Sequence, residues 1–176
     1  MKVLRSWPEV VPSNRAYVVD QLPRLIMKDY DYRLLGDVDD DVLLLEWDIA
    51  VDPEGLGRFI ERIRSAPERV LVAPYRLYTS SEHSHPLREP IWAHRVYDGP
   101  HRMRWVTEGD PVCHLWGLGM TYLPKAVISA FLSAWPGHFS DGALSGWHHR
   151  NVCEDVPIAW DVRPIHLHYP TDGLGL

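Results

Sequence analysis

Two carboxylates spaced one residue apart follow an apolar run in VLLLEWDIAVD, Val42 to Asp52. Along an extended backbone the side chains of Glu46 and Asp48 point the same way. Like charges that close together are comfortable only with a proton or a cation between them, and a divalent metal satisfies both. Hard oxygen ligands suit Mn2+ or Mg2+, ions that commonly take one or two protein carboxylates and fill their remaining positions with substrate phosphates. The pair therefore points to chemistry on a phosphorylated substrate. The plain alternative is two exposed acids at a strand end, and position in the fold decides between them.

The second group of chemically able residues is at the other end of the chain. Arg163 to Tyr169, RPIHLHY, alternates so that Ile165, Leu167 and Tyr169 share one face and His166 and His168 the other. Two imidazoles about 7 Å apart on one strand face can serve a common site. The remaining histidines do not form a metal signature. There is no His-Glu-x-x-His helix and no Cys-His zinc spacing, and adjacent His148 and His149 face different directions on a helix. A histidine-based metallohydrolase using His83, His85, His148, His149, His166 and His168 is the lesser alternative.

The elements that must position these groups follow from local pattern. Val42 to Leu45 predicts a strand buried on both faces, because four consecutive apolar side chains leave no solvent face. Asp52-Pro53-Glu54 is a helix start, with Asp52 as cap and Pro53 at the first helical position. Leu56, Phe59, Ile60 and Ile63 follow at helical spacing, Pro67 closes the helix, and Arg69 to Ala73 predicts the next strand. Such a strand-helix-strand unit pairs its strands in parallel and collects ligands beyond their carboxyl ends, where Glu46 and Asp48 lie.

Elsewhere, Trp7 to Arg15 reads as a strand end and a turn, and the acidic run Gly36 to Asp41 as a solvated turn. Pro74 to Pro111 predicts an irregular excursion with short strands, of the kind that serves as a lid or binding loop. Val112 to Leu123 reads as a strand that bends at its glycines, where a ligand or another backbone comes close. Pro124 opens a helix with Ala126, Val127, Ala130, Phe131 and Ala134 inward, and Ser140-Asp141 opens another through Leu144 and Trp147.

The stretch from Val42 to Tyr75 resembles the central segment of nucleotide-sugar glycosyltransferases of the GT-A fold, in which an apolar strand ends in an Asp-x-Asp-type motif. Here Glu46 stands in the first acidic position, which makes Asp48 the main metal ligand. VVPSNR, Val10 to Arg15, is similar to the family's opening segment, and implies nucleotide binding by Pro12, Ser13, Asn14 and Arg15, with Glu46 beside them. GLGMTYLPKAVI, Gly117 to Ile128, resembles the glycine-bearing segment bordering donor sugar and acceptor. FSDGAL, Phe139 to Leu144, nominates Asp141 as catalytic base, and His166 to His168 occupies the place of a late metal-binding histidine. The resemblance implies one compact domain over residues 1–176. Its fold would be α/β, a Rossmann-like GT-A-type mixed but mainly parallel sheet flanked by helices. The implied activity is Mn2+- or Mg2+-dependent transfer of a sugar from a nucleotide-sugar donor to an acceptor hydroxyl, with a non-catalytic nucleotide- or sugar-binding module as the alternative.

Composition sets outer bounds on these readings. With 176 residues, 45% hydrophobic and 24% charged, the chain fits one ordinary globular domain. No apolar run approaches the ~20 residues of a membrane span. Met1 to Pro12 lacks a sustained apolar region, so no secretory signal is expected and a cytoplasmic location is. A net charge of −6 gives no general attraction to nucleic acid, although local patches such as Arg88 to Arg104 leave that partner open. Eight Trp and ten His are many for this length, and core packing is the expected fate of most. Trp92, Trp105, Trp116 and Trp147 are the ones that could line a sugar surface.

Overall fold

The computed structural model describes residues 1–7, 26–28, 39–46, 49–80, 83–99, 102–135, 141–152 and 155–166, with backbone only at 4–7, 26–28, 78–80, 83–90 and 141. Its centre is strand β3, Val42–Leu45, whose four side chains are at most 2% exposed. As numbered here, β1 is Lys2–Trp7, β2 Ile26–Lys28, β4 Ile49–Ala50, β5 Leu71–Val72 and β11 Met120–Leu123. A five-stranded sheet runs in the order β2-β1-β3-β11-β5. Strand β1 pairs in parallel with β2 and with β3, in the register Lys2↔Val42 to Arg5↔Leu45. Strand β11 runs antiparallel to β3, Met120↔Leu45 to Leu123↔Val42, and antiparallel to β5.

This corrects the expected mainly parallel, Rossmann-like GT-A-type sheet flanked by helices. Two of the four pairings in the large sheet are antiparallel, and all four two-stranded sheets are antiparallel as well. Only three helices form among the described residues. The predicted strand-helix-strand unit is present as β3, α1 (Pro53–Ser65) and β5, but its strands do not touch. The cause is β11. Met120, Thr121, Tyr122 and Leu123 are all fully buried, so this segment has no solvent face and takes a central place between β3 and β5. Its two polar groups are satisfied internally, the Thr121 hydroxyl donating to the Gly117 carbonyl at 3.1 Å and the Tyr122 hydroxyl to the Pro67 carbonyl at 2.6 Å.

Alternation along β3 divides the core. Leu43 and Leu45 pack with Phe59 and Ile63 of α1, while Val42 and Leu44 pack with Ile128, Phe131, Leu144 and Trp147. The latter residues come from α2 (Lys125–Ala134) and α3 (Asp141–Asn151). Helix α1 starts as its sequence directs: an Asp52 side-chain oxygen accepts the Gly55 N–H at 2.6 Å. On α2 the inward face is Ile128 and Phe131, with Ala126, Ala130 and Ala134 exposed, a rotation from the expected stripe. The acidic run ties down the sheet's amino edge. The Asp41 carboxylate accepts the Lys125 N–H at 2.9 Å, its carbonyl accepts the Lys2 N–H at 2.8 Å, and Asp39 pairs with the Lys125 ammonium.

The excursion from Pro74 to Pro111 is more regular than expected. It contains two hairpins, β6 (Arg76–Ser80) with β7 (His83–Trp92) and β8 (Arg95–Tyr97) with β9 (Met103–Trp105). Prolines fit within β7 because a two-stranded sheet has only edge strands. The remaining short strands are β10 (Val112–Cys113), β12 (Val156–Pro157) and β13 (Ile165–His166). No helix among the described residues is long and apolar enough to cross a membrane.

Candidate site at the carboxyl edge of the central strand

The carboxyl ends of β1, β3 and β5 and the start of β11 share one edge of the large sheet, since β3 and β5 both oppose β11. Glu46 is the first residue past β3 at this edge and is half-buried. Its N–H donates to the Gly119 carbonyl at 2.8 Å, and its own carbonyl accepts the Ile49 N–H at 3.1 Å. The second bond returns the chain into β4. Strand β4 pairs antiparallel with β13, in the register Ala50↔Ile165 and Ile49↔His166. The late histidine strand therefore lies directly beside Ile49 and Ala50.

The faces of β13 are the reverse of what hydropathy alone would give. Ile165 is 56% exposed and His166 only 7%. His166 shares the inward face of its cross-strand partner Ile49, which is fully buried, and its imidazole meets the Tyr75 ring edge-on, at 5.2 Å between centroids and 69° between planes. On its other side Tyr75 meets His94, at 5.6 Å and 88°. His94 is fully buried and bonded through Nε2 to the Ala73 carbonyl at 3.0 Å, while its Nδ1 has no partner among the described residues. Burial pulls its pKa down to about 4, so the ring is neutral at pH 7 and Nε2 carries the donated proton.

Gly117 and Gly119 mark the close approach expected of a bent, glycine-bearing segment, and the approaching group is Tyr75. A Cβ on Gly119 would stand 2.5 Å from Tyr75 Cε1 and 2.7 Å from Cζ, and one on Gly117 would collide with the Tyr75 hydroxyl oxygen. Neither Tyr75 nor His94 was singled out from the sequence. The Gly-x-Gly spacing was the available signal, but it does not say what fills the space.

On the outward side of β4 and β13, Ala50, Val51, Pro53, Leu56 and Ile165 line an open groove of about 580 Å³. Its two charged members have internal partners: Asp52 caps α1, and Arg163 pairs with Glu108.

Of the residues nominated from the sequence, the edge brings Glu46 and His166 to the same region. Asp48, His168, Pro12, Ser13, Asn14 and Arg15 lie outside the described residues. Asp141 is the first residue of α3, and its side chain also lies outside them. Among the described residues no group of three His, Cys, Asp or Glu side chains is placed to hold a metal ion. Glu46 and His166 provide a hard oxygen and a nitrogen donor, two of the four ligands nominated from the sequence. His114, His148 and His149 have separate roles. His148 is buried against Trp116, ring centroids 5.1 Å apart, with its pKa lowered to about 4 by desolvation. His149 stacks on Tyr97 at 4.8 Å, and His114 contacts Asp155 at 3.1 Å. Trp92, Trp116 and Trp147 are core residues, and Trp105 lies half-buried beneath the Arg95 guanidinium at 4.0 Å.

No family model and no curated protein matches this sequence. Among solved structures the chain is similar to A197 from STIV, with a TM-score of 0.57 at 11% identity, over 96% of this chain and 87% of that one. The likeness is one of fold.

Proposed function

We propose that this chain is a glycosyltransferase that moves a sugar from a nucleotide-sugar donor to an acceptor hydroxyl with the help of Mn2+ or Mg2+. The observation that carries the proposal is the β13–β4 register, which sets His166 across from Ile49, the residue whose N–H donates to the Glu46 carbonyl. Asp48, Glu46, His166 and His168 are the residues that would hold the ion. When bound there, the ion supplies countercharge to the leaving diphosphate. The protein's own contribution begins with Glu46, whose backbone is fixed by the Gly119 carbonyl and whose carboxylate follows a fully buried strand. Pro12, Ser13, Asn14 and Arg15, which come after β1 in the sequence, are assigned to the nucleotide. Asp141 is assigned as the base that takes the acceptor hydroxyl's proton, which gives inversion at the anomeric carbon.

One observation favours a second reading, a nucleotide- or sugar-binding module without turnover. The glycine segment that the resemblance assigns to the donor sugar is instead filled by Tyr75. Both readings are tested by incubating the protein with a panel of nucleotide sugars and Mn2+, with and without EDTA. Nucleoside diphosphate release that EDTA abolishes supports transfer. Ligand-dependent thermal stabilisation without release supports the binding module.

A further inference from the structure

Tyr75 lies among His94, His166, Gly117 and Gly119 at the candidate edge. It follows β5 by three residues and is 4% exposed. Its carbonyl accepts the Ala93 N–H at 3.0 Å, so its backbone is tied to the segment that carries His94. Its ring occupies the cradle left by Gly117 and Gly119, the latter being the residue whose carbonyl holds the Glu46 N–H. One ring edge meets the neutral, fully buried His94, and another meets His166.

We propose that Tyr75 is a positioning residue whose ring, braced by His94 in the Gly117–Gly119 cradle, sets both the orientation of His166 and the placement of Glu46. The physical basis is that close-packed interiors transmit displacement. A ring that cannot tilt toward the glycines or toward His94 offers His166 one edge-on arrangement. The same contact fixes the height of the Gly119 carbonyl above the end of β3. The consequence for function rests on the transferase proposal, but the geometry is testable without any activity.

The test uses NMR of the His166 ring in the wild-type protein, Tyr75→Phe and Tyr75→Leu. In the wild type, NOEs should connect the Tyr75 ring protons to the His166 imidazole and to the Gly119 Hα. Absence of NOEs between the assigned Tyr75 and His166 ring protons overturns the proposal, and this measurement needs no variant to fold. In Tyr75→Phe the His166 signals should stay at their wild-type positions, because the ring is retained. In Tyr75→Leu they should move and broaden even where the variant melts cooperatively. Wild-type His166 signals in a folded Tyr75→Leu would reduce the ring to ordinary packing. Nucleotide-sugar turnover is measured alongside: Tyr75→Phe is expected within about twofold of wild type, and Tyr75→Leu to lose at least tenfold. His166 coupling to Tyr75 without turnover in any form leaves the positioning role standing and removes the transferase reaction.

Discussion

Substituting Gly119 by Ala adds one methyl group at the point where the candidate edge is most tightly packed. The new Cβ would stand 2.5, 2.7 and 3.0 Å from three atoms of the Tyr75 ring. The ring cannot simply turn away, since it is 4% exposed and lies between His94 and His166. Among the described residues the glycines with positive φ are Gly99 and Gly109, not Gly119, so the cost is steric and not one of backbone conformation. Overpacking a well-filled core costs about 1–3 kcal/mol, and contact with three atoms of a braced ring places this case near 3 kcal/mol. For a chain of this length that corresponds to a fall in Tm of roughly 6–12 °C. The control is Gly57→Ala. Gly57 lies within α1 and an added Cβ there meets nothing within 4 Å, so the same chemical change should stabilise by roughly 0.5–1 kcal/mol. Urea unfolding of both variants and of the double variant Gly119→Ala/Tyr75→Leu measures the effects. Relative to Tyr75→Leu alone, the added Gly119→Ala should then cost well under 1 kcal/mol. A loss below about 0.5 kcal/mol for Gly119→Ala in the wild-type background, where the scale for overpacking is higher, would refute the assignment of this glycine to the tyrosine.

Further predictions concern the fold and its titrating groups. Asp52→Ala should cost about 1 kcal/mol by removing the α1 cap, with Asp52→Asn costing less, as read by urea unfolding. His94 and His148 have folded pKa values near 4, below the unfolded value. Their stability contribution is therefore complete above about pH 6.5 and lost as pH falls toward 4, by up to about 1.4 kcal/mol per pH unit for each. Replacing His94 by Gln should flatten that slope in unfolding curves collected from pH 7 to 4.5. Asp110 receives two hydrogen bonds from Arg104, at 2.7 and 2.9 Å, which hold its carboxyl well below the usual carboxylate range. Because this folded pKa is depressed, the stability advantage over Asp110→Asn should be full at pH 7 and shrink as pH falls below about 4. Cys113 is fully buried and its thiol pKa is pushed up, so mass spectrometry should find it unalkylated by iodoacetamide in the native protein and alkylated in urea.

The elements legible in the sequence are those that local chemistry determines. Val42 to Leu45 could only be a central strand, Asp52-Pro53 could only start a helix, and Ser140-Asp141 does lead into α3. Strand pairing is a different matter, because it depends on residues far apart in the chain. Nothing local to Val42–Ala73 reveals that Met120–Leu123 inserts between β3 and β5, and this insertion is what makes the large sheet mixed. The face of α2 was misread because alanine is small enough to be accepted on either side, whereas Ile128 and Phe131 require burial. At the candidate site, alternation in RPIHLHY gave two faces but not which one turns inward. Pairing of His166 with the buried Ile49 sets that, and a pairing between residues 49 and 166 has no local signature. The alternation nonetheless named a strand, and the fold pairs its Ile165 and His166 with Ala50 and Ile49, just after the acidic pair in sequence.

The most direct test of the transferase proposal is nucleoside diphosphate release from nucleotide sugars with Mn2+, compared between the wild-type protein and Asp48→Ala. Metal-dependent release by the wild type that falls at least a hundredfold in a folded Asp48→Ala is the predicted result. Equal release by both proteins would contradict it.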